Sequence, residues 1–181
     1  MRCILLALPV ILTACAIGPS FRDTAVPIAT ARQVDLNRYQ GLWYEIARFP
    51  VSFEEGCVGV TAEYTVLPDG DVRVVNTCRE GSLTAPARTS EAIAEAVDAS
   101  NARLKVDFVP YIPFTAGDYW ILDIDEGYRT VVVGNPDGTA GWVLAREPQI
   151  GEARLQRGYD VLRRAGYDLS RITLTPQSAI R

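Results

Sequence analysis

The stretch VGVTAEYTVLPDGDVRVVNTCR, residues 58–79, decides the fold class. Within residues 58–67 apolar and polar side chains alternate, which is the period of a half-buried β-strand. The apolar face consists of Val58, Val60, Ala62, Tyr64 and Val66. Pro68-Asp69-Gly70 is a turn signal, and residues 71–79 return as a second strand. The stretch therefore predicts an antiparallel hairpin that buries one of its two faces.

Short apolar runs of this kind recur along most of the chain, separated by turn signals, which is typical of an all-β protein. We predict strands at 43–49, 58–67, 71–79, 89–97, 103–109, 118–124, 128–134 and 141–146. The run TSEAIAEAV at 89–97 also has high helix propensity, so a short helix is the alternative there. We favour a strand because alanines alternate with glutamates and because a helix would leave an odd number of strands.

The connections between these strands alternate in length. Those after the second, fourth and sixth strands are short (PDG, DASN and DEG). Those after the first, third, fifth and seventh are mostly longer and richer in Pro and Gly (PVSFEEG, EGSLTAPA, PYIPFTAG and NPDGTA). The sequence thus predicts an eight-stranded antiparallel up-and-down barrel with one closed end and one open mouth. Such a barrel is just wide enough to hold one small ligand.

The C-terminal region predicts one helix outside the barrel and a last short strand. Residues 152–165 place Leu155, Tyr159 and Leu162 at helical spacing, with arginines on the opposite face. Residues 169–174 (LSRITL) have the character of a short final strand.

The N-terminus, MRCILLALPVILTAC, predicts export and a lipid anchor. Arg2 precedes an apolar run at 4–12 that is too short to span a bilayer. Residues 12–15 (LTAC) match the lipobox of bacterial lipoproteins, in which the cysteine accepts diacylglycerol. We predict a signal peptide at 1–14, an acylated (palmitate-type) Cys15 opening a loosely ordered tether at 15–34, and the barrel domain at 35–181. The alternative is a simple cleavable signal with an incidental cysteine.

Ala16 follows the predicted anchor cysteine, where lipoproteins retained at the inner membrane typically have Asp. We therefore expect attachment to the outer membrane, facing the periplasm, and several acyl chains would make that attachment effectively permanent. Cys57 and Cys78 then remain as a pair, which in an oxidising compartment predicts a disulfide. Counted from the turn at 68–70 they lie nearly opposite each other, but strict alternation places them on different faces. A β-bulge would reconcile them.

Composition excludes several classes of site. The chain has no histidine, which rules out Ser-His-Asp triads, His-ligated zinc and proximal-His haem. A metal site built from two cysteines alone is not expected, and no cofactor is predicted. A net charge of −4 gives no indication of nucleic-acid binding.

Four segments resemble the lipocalin family, and specifically the bacterial outer-membrane lipocalins related to apolipoprotein D. They are GLWYEIARFP on the first strand, VTAEY on the second, GDYWILDID on the sixth and WVLAREP at the end of the eighth. The resemblance covers about residues 34–176. It implies structural roles for Gly41, Trp43 and Arg146, with the tryptophan on the barrel floor and the arginine stacked on its face as a cation–π pair.

The resemblance also implies that the barrel binds a hydrophobic small molecule, such as a fatty acid or a lysophospholipid, for storage, transport or scavenging. The expected lining is Val60, Ala62, Tyr64, Ala92, Ala94, Ala96, Val106, Phe108, Tyr119 and Trp142. We expect the three alanines on one strand to leave volume for the ligand. Polar contacts would come from Tyr119, Tyr64 or Arg79. The alternative is a dry, packed interior.

The loop VPYIPFTAG at 109–117 is unusually apolar for an exposed connection. Because two prolines stiffen it, we expect Tyr111, Ile112 and Phe114 to form an apolar lip at the mouth. This lip would line the ligand portal or touch the membrane. The alternative is a lid that folds inward.

Two other functions stay open. The first is an enzyme in which Asp118, Asp123 and Tyr119 form an acid–base set. We predict no enzyme, since carboxylates beside a closed-end turn are expected to be solvated. The second is a lipoprotein that only docks a protein partner. A homodimer is compatible with either.

Overall fold

The computed structural model describes residues 19–109, 112 and 115–177. Its strands are β1 (Gly41–Arg48), β2 (Cys57–Val66), β3 (Val72–Glu80), β4 (Ala87–Ala96), β5 (Arg103–Asp107), β6 (Gly117–Ile124), β7 (Thr130–Gly134), β8 (Gly141–Ala145) and β9 (Thr173–Leu174). Its helices are α1 (Leu36–Tyr39) and α2 (Glu152–Arg164), with 3₁₀ turns at Ser52–Glu54 and Leu169–Arg171. The predicted signal peptide and Cys15 lie outside the described residues.

The strands form a closed antiparallel barrel. β2 to β8 pair in chain order, β8 pairs with β1, and β1 pairs with β2 to complete the circle. The turns 67–71, 97–102 and 125–129 lie at the closed end, and the connections 49–56, 81–86 and 135–140, with the described residues of 108–116, lie at the open end. The prediction of an eight-stranded up-and-down barrel with an outer helix is confirmed, and the segment predicted at 89–97 is a strand, since residues 89–96 lie within β4.

The predicted final strand at 169–174 is confirmed at its end, as β9, and is wrong for its first three residues. Leu169–Arg171 is a 3₁₀ turn, because the Asp168 side chain accepts a hydrogen bond from the backbone N–H of Ser170. Only β9 pairs with the barrel, beside β1. The residues that follow fill the gap where β1 separates from β2: the Gln177 amide donates to the backbone oxygens of Glu45 and Val60 at 2.8 Å.

A β-bulge in β2 resolves the position of the two cysteines. Val58 pairs with Arg79 but Thr61 pairs with Thr77, so two residues of β2 face one of β3. Gly59 takes φ +58° at this point, a left-handed conformation that glycine adopts without strain. The extra residue brings both cysteines to one face, where Cys57 and Cys78 form a disulfide with their Cα atoms 5.4 Å apart.

Apolar side chains pack on both surfaces of the barrel wall. The inner set surrounds Trp43, and the outer set lies beneath α2, centred on Leu162 and Val143. Gly158 lets α2 approach the wall, since a Cβ there would meet the Val143 methyl groups at 3.1 Å. In the described part of the chain, no helix is long and apolar enough to cross a bilayer.

The segment 19–34 is ordered and packed on the barrel rather than forming a loose tether. Phe21 is buried and its ring stacks on Phe49 with centroids 5.2 Å apart. The Arg22 guanidinium is also buried and donates to backbone oxygens of Ala165 and Pro136. The sequence lacked a periodic signal here because this segment is held by single anchoring residues and not by a repeating face.

Candidate functional site

Trp43 and Arg146 lie together at the closed end of the barrel. The Trp43 ring is fully buried, and its indole N–H donates to the backbone oxygen of Tyr39 at 2.7 Å. The Arg146 guanidinium carbon lies 3.9 Å from the centroid of that ring. Gly41 has φ +94°, and a Cβ there would come within 3.4 Å of the Arg146 guanidinium. This group therefore closes one end of the barrel and leaves the other end for a ligand.

Three tyrosines occupy the barrel above Trp43. Tyr39 lies on α1, Tyr64 on β2 and Tyr119 on β6. The Tyr119 hydroxyl lies 2.8 Å from the hydroxyl of Tyr39 and 2.8 Å from that of Tyr64. Burial raises the pKa of Tyr64 to about 12 and the pKa values of Tyr39 and Tyr119 well above the ordinary range. This tyrosine trio therefore keeps its protons and forms a neutral, hydrogen-bonded floor.

The space expected beside the alanines of β4 is filled. Ala92 is 3% exposed and Ala94 is fully buried. Both belong to the same packed cluster as Trp43 and Tyr64, so the small side chains of β4 accommodate the bulk of the aromatic residues. The expectation that these alanines border open volume is therefore wrong in this structure, and the closed half of the barrel is a packed core.

The mouth half of the barrel is more open. Val106 on β5, Tyr119 on β6 and Trp142 on β8 face inward and are only half-buried. The Tyr119 and Trp142 rings stack with centroids 6.4 Å apart. A ligand entering from the open end would meet these three side chains first, with Tyr39 and Tyr64 beneath them.

The other predicted lining residues are buried or half-buried, apart from Phe108. Val60, Ala62 and Tyr64 are buried in the barrel wall, and Ala96 is half-buried near the closed end. Phe108 lies just past the end of β5 and is 47% exposed, so it belongs to the rim of the mouth and not to the inner face. The Arg79 guanidinium donates to the backbone oxygen of Ala85 at 2.5 Å, which commits it to the 81–86 connection.

The predicted apolar lip is described only in part. Ile112 is 55% exposed, and its backbone N–H donates to the oxygen of Val109 at 2.8 Å. Tyr111 and Phe114 lie outside the described residues. The position of Ile112 agrees with an outward lip; whether the rest of the loop lines a portal or forms a lid stays a prediction.

Three charged residues outside the predicted lining form a cluster with Trp142 at the mouth. We call Glu45, Arg48, Glu54 and Trp142 the mouth cluster. Arg48 donates to the Glu45 carboxylate at 2.7 Å, and its Nε lies 3.7 Å from the carboxyl group of Glu54. The Trp142 indole N–H donates to Glu54 at 3.3 Å, and Thr175 also hydrogen-bonds Glu45. The cluster thus links β1, β8, the 49–56 connection and the C-terminal segment.

A second β-bulge brings Arg48 into this cluster. Glu45 pairs with Leu144 but Ala47 pairs with Val143, so Ile46 is an extra residue and β1 changes face after it. Glu45 shares the inward face of Trp43 by simple alternation, so this signal was present in the sequence. Arg48 would have been placed outside by the same rule, and only the bulge turns it inward.

Burial gives Glu54 an unusual protonation state. Desolvation and then the neighbouring charge of Glu45 raise the pKa of Glu54 from 4.5 to about 8, against the opposing effects of Trp142 and Arg48. At neutral pH the cluster therefore holds a protonated Glu54 beside the Arg48–Glu45 ion pair. It presents no net charge to a ligand in the mouth.

The residues of the predicted acid–base set are not assembled. Asp118 pairs with Lys105 on the outer surface at 2.9 Å, and the Asp123 side chain is exposed beside α2. Tyr119 points into the barrel, so the barrel wall separates it from both carboxylates. Among residues 19–109, 112 and 115–177, no group of three or more acidic or Cys side chains is arranged to hold a metal.

Tyr119→Phe is expected to lower the free energy of unfolding by about 2 kcal/mol, because it removes the hydroxyl that pairs with both other tyrosines. Tyr39→Phe is the matched control: it removes a terminal hydroxyl and only one of the two hydrogen bonds, so its cost should be smaller. Urea denaturation of both variants measures the difference. Equal costs would mean that the central hydroxyl has no special position.

Comparison with known proteins agrees with this architecture. Residues 34–177 match the family model described as a lipocalin-like domain. The chain is 35% identical over 151 residues to the outer membrane lipoprotein Blc of Escherichia coli K12, covering 83% of each chain. It is 30% identical to apolipoprotein D of Bos taurus, covering 96% of this chain and 95% of that one. The structure of insecticyanin from Manduca sexta superposes with a TM-score of 0.66 at 17% identity, covering 88% of each chain.

Proposed function

The chain belongs to the lipocalin family, and from this premise we propose that it binds a fatty acid or lysophospholipid in the mouth half of its barrel. The observation that carries the proposal is the set of inward-facing, half-buried Val106, Tyr119 and Trp142 above a packed floor. Apolar and aromatic walls with a few polar groups are typical of small-molecule sites. Lipocalins generally act by binding and not by catalysis.

The depth of this site restricts how a lipid would sit. Because the tyrosine trio and Trp43 fill the closed half, an acyl chain would occupy the space above Tyr119 and extend towards the mouth. The uncharged state of the mouth cluster favours an apolar chain there over a free carboxylate. The polar end of the ligand would then lie at or beyond the rim, where water solvates it.

Residues outside the described part complete the proposal. The lipobox at 12–15 would place acyl chains on Cys15, and relatives such as the E. coli protein are named outer membrane lipoproteins. We propose attachment to the outer membrane on its periplasmic side, where the protein would store, ferry or scavenge membrane lipids.

Val106→Trp is expected to weaken binding of a fluorescent fatty acid by about tenfold or more, because the indole would occupy the space that the acyl chain needs. A tenfold loss corresponds to about 1.4 kcal/mol of binding free energy. Lys105→Trp is the matched control, because it adds the same ring on the outer face and disturbs only an exposed ion pair. Titration of both variants, with native mass spectrometry of the Cys15→Ser protein purified without detergent, measures binding. Unchanged affinity in a folded Val106→Trp protein would contradict the site.

A lipocalin-fold enzyme is the second candidate, and Glu54 is the observation that favours it. A carboxyl group with a pKa of about 8 at a ligand site has the protonation behaviour of a general acid. Its partners are other side chains of the mouth cluster. The mass of lipid recovered after prolonged incubation separates the two: an unchanged mass supports binding alone, and a changed mass supports catalysis that Glu54→Gln should abolish.

A further inference from the structure

Ser20 and Phe21, close to the start of the described residues, lie at the open end of the barrel. The Ser20 hydroxyl donates to the backbone oxygen of Asp137 at 2.7 Å, and the Phe21 N–H donates to that of Gly138 at 2.7 Å. Both acceptors belong to the connection between β7 and β8, which is one of the four open-end connections. Phe21 is buried against Phe49, whose ring stacks in turn on Tyr167, and this packing fixes the arrangement. The chain therefore enters the domain beside the mouth.

This entry point limits the reach of the predicted anchor. Residues 15–20, up to the serine that contacts the β7–β8 connection, span at most about 18 Å when fully extended. An acylated Cys15 would therefore hold the β7–β8 connection within that distance of the bilayer surface, since the sulfur-linked acyl chains must enter the membrane. The closed end lies at the far side of the barrel from this attachment.

The open end also carries exposed apolar side chains from three separate connections. We call this set the apolar rim: Phe53, Leu83, Phe108, Val109 and Ile112, which are 64%, 37%, 47%, 44% and 55% exposed. Large exposed apolar side chains grouped at one place mark a protein or membrane contact. At the closed end Val97 and Leu42 are exposed, but they lie on separate elements, the β4–β5 turn and β1.

The charges around the rim are mixed. Glu55, Glu80 and Arg88 are exposed at the open end, so the mouth has no excess of basic residues with which to attract an anionic lipid surface. Contact with a bilayer would therefore depend on burial of the apolar rim in the interfacial region.

We propose that the open mouth of the barrel rests on the same bilayer that holds the Cys15 anchor, with the apolar rim inserted at its surface. The acylated N-terminus and the rim lie at one end of the molecule, so the permanent anchor keeps the rim at a high effective concentration beside the bilayer and a weak rim contact is enough. The ligand then passes between membrane and barrel without crossing water. This orientation rests on the lipid anchor of the proposed function, and it would hold whichever lipid the barrel takes.

Tryptophan reporters test the orientation in the mature acylated full chain, reconstituted in phosphatidylcholine vesicles with or without bromine atoms on the acyl chains. Phe53→Trp and Ile112→Trp place an indole on the rim, and Val97→Trp places one at the closed end as the matched control. Emission is compared with that of the parent protein, which contributes its own Trp43, Trp120 and Trp142. We expect bromine to quench the added emission at 53 and 112 and to leave that at 97 unchanged, at both low and high salt.

Quenching at 97 equal to that at 53 and 112, or no quenching at any of the three, would overturn the orientation. The orientation would also be overturned if the indoles at 53 and 112 were shielded from water in detergent-free dimers but not quenched by bromine. In that case a second copy of the chain, and not the bilayer, would cover the rim. A mature protein whose mass shows no acyl chains on Cys15 would overturn the anchor and with it this proposal. Fatty-acid titration of the same preparation shows independently whether the barrel binds lipid.

Discussion

Arg146→Ala is expected to lower the free energy of unfolding by about 3 kcal/mol, the largest loss that we predict for a single residue. The guanidinium of Arg146 donates to the backbone oxygens of residues 38, 39, 40 and 42 at 2.8–2.9 Å and stacks on Trp43. Its removal takes this donor from the oxygens of residues 38, 40 and 42, leaves the Tyr39 oxygen with only the Trp43 indole N–H, and uncovers the indole ring. Because the closed end is partly open to water, the cost is well below the sum of the individual bonds.

Two matched variants separate this role from a simple loss of charge. Arg146→Lys keeps the charge but cannot present several N–H groups in one plane, so we expect it to recover less than half of the loss. Arg129→Ala removes an arginine of the same end whose side chain is 61% exposed and pairs with Glu147, and it should cost little. Urea denaturation with the disulfide intact measures all three. A full rescue by lysine would show that the planar donor set is unimportant.

The fold could be predicted from local patterns because each pattern determines one feature of the barrel. Alternation in residues 58–79 specifies a hairpin with one buried face. The alternating loop lengths specify which end of the barrel is closed and which is open. The disulfide between Cys57 and Cys78 required a bulge, and the conflict between their predicted faces indicated that one was needed but not where. Gly59 is the residue that permits it.

The site was predicted less well, because alternation states which way a side chain points and not how far its neighbours reach. Ala92 and Ala94 face inward as expected, but the tyrosine trio, from α1, β2 and β6, fills the space beside them. Tyr39 precedes the first strand, so no strand pattern could have placed it inside. Arg48 was missed for a different reason: an extra residue at Ile46 reverses the face of β1.

Glu54→Gln is expected to remove a pH dependence of stability on the order of 5 kcal/mol. In the unfolded chain Glu54 releases its proton near pH 4.5, whereas in the folded protein it holds the proton to about pH 8. Between these values the folded state binds more protons than the unfolded state, so stability falls as the pH rises. Below pH 4.5 both states are protonated and above about pH 8 both are ionised, so the contribution of Glu54 is constant outside the window.

Glutamine suits this test because it copies the protonated carboxyl group. Its amide oxygen can accept from Trp142, and its N–H₂ can donate to the Glu45 carboxylate, with no proton to release. The free energy of unfolding of wild type minus that of Glu54→Gln should therefore decline from pH 5 to pH 8 and level off above. Glu55→Gln removes one carboxylate from the same connection at an exposed position and serves as the control for charge alone.

The pH profile also bears on the ligand. If the protonated Glu54 keeps the mouth cluster uncharged, ionisation above pH 8 places a second carboxylate beside Glu45, with only Arg48 to balance the two. An apolar chain lying over Trp142 would then share the mouth with a net negative charge, so fatty-acid affinity should fall over the same pH range as stability. Affinity in Glu54→Gln should stay level there. A parallel fall in both proteins would mean that the ligand senses a group other than Glu54.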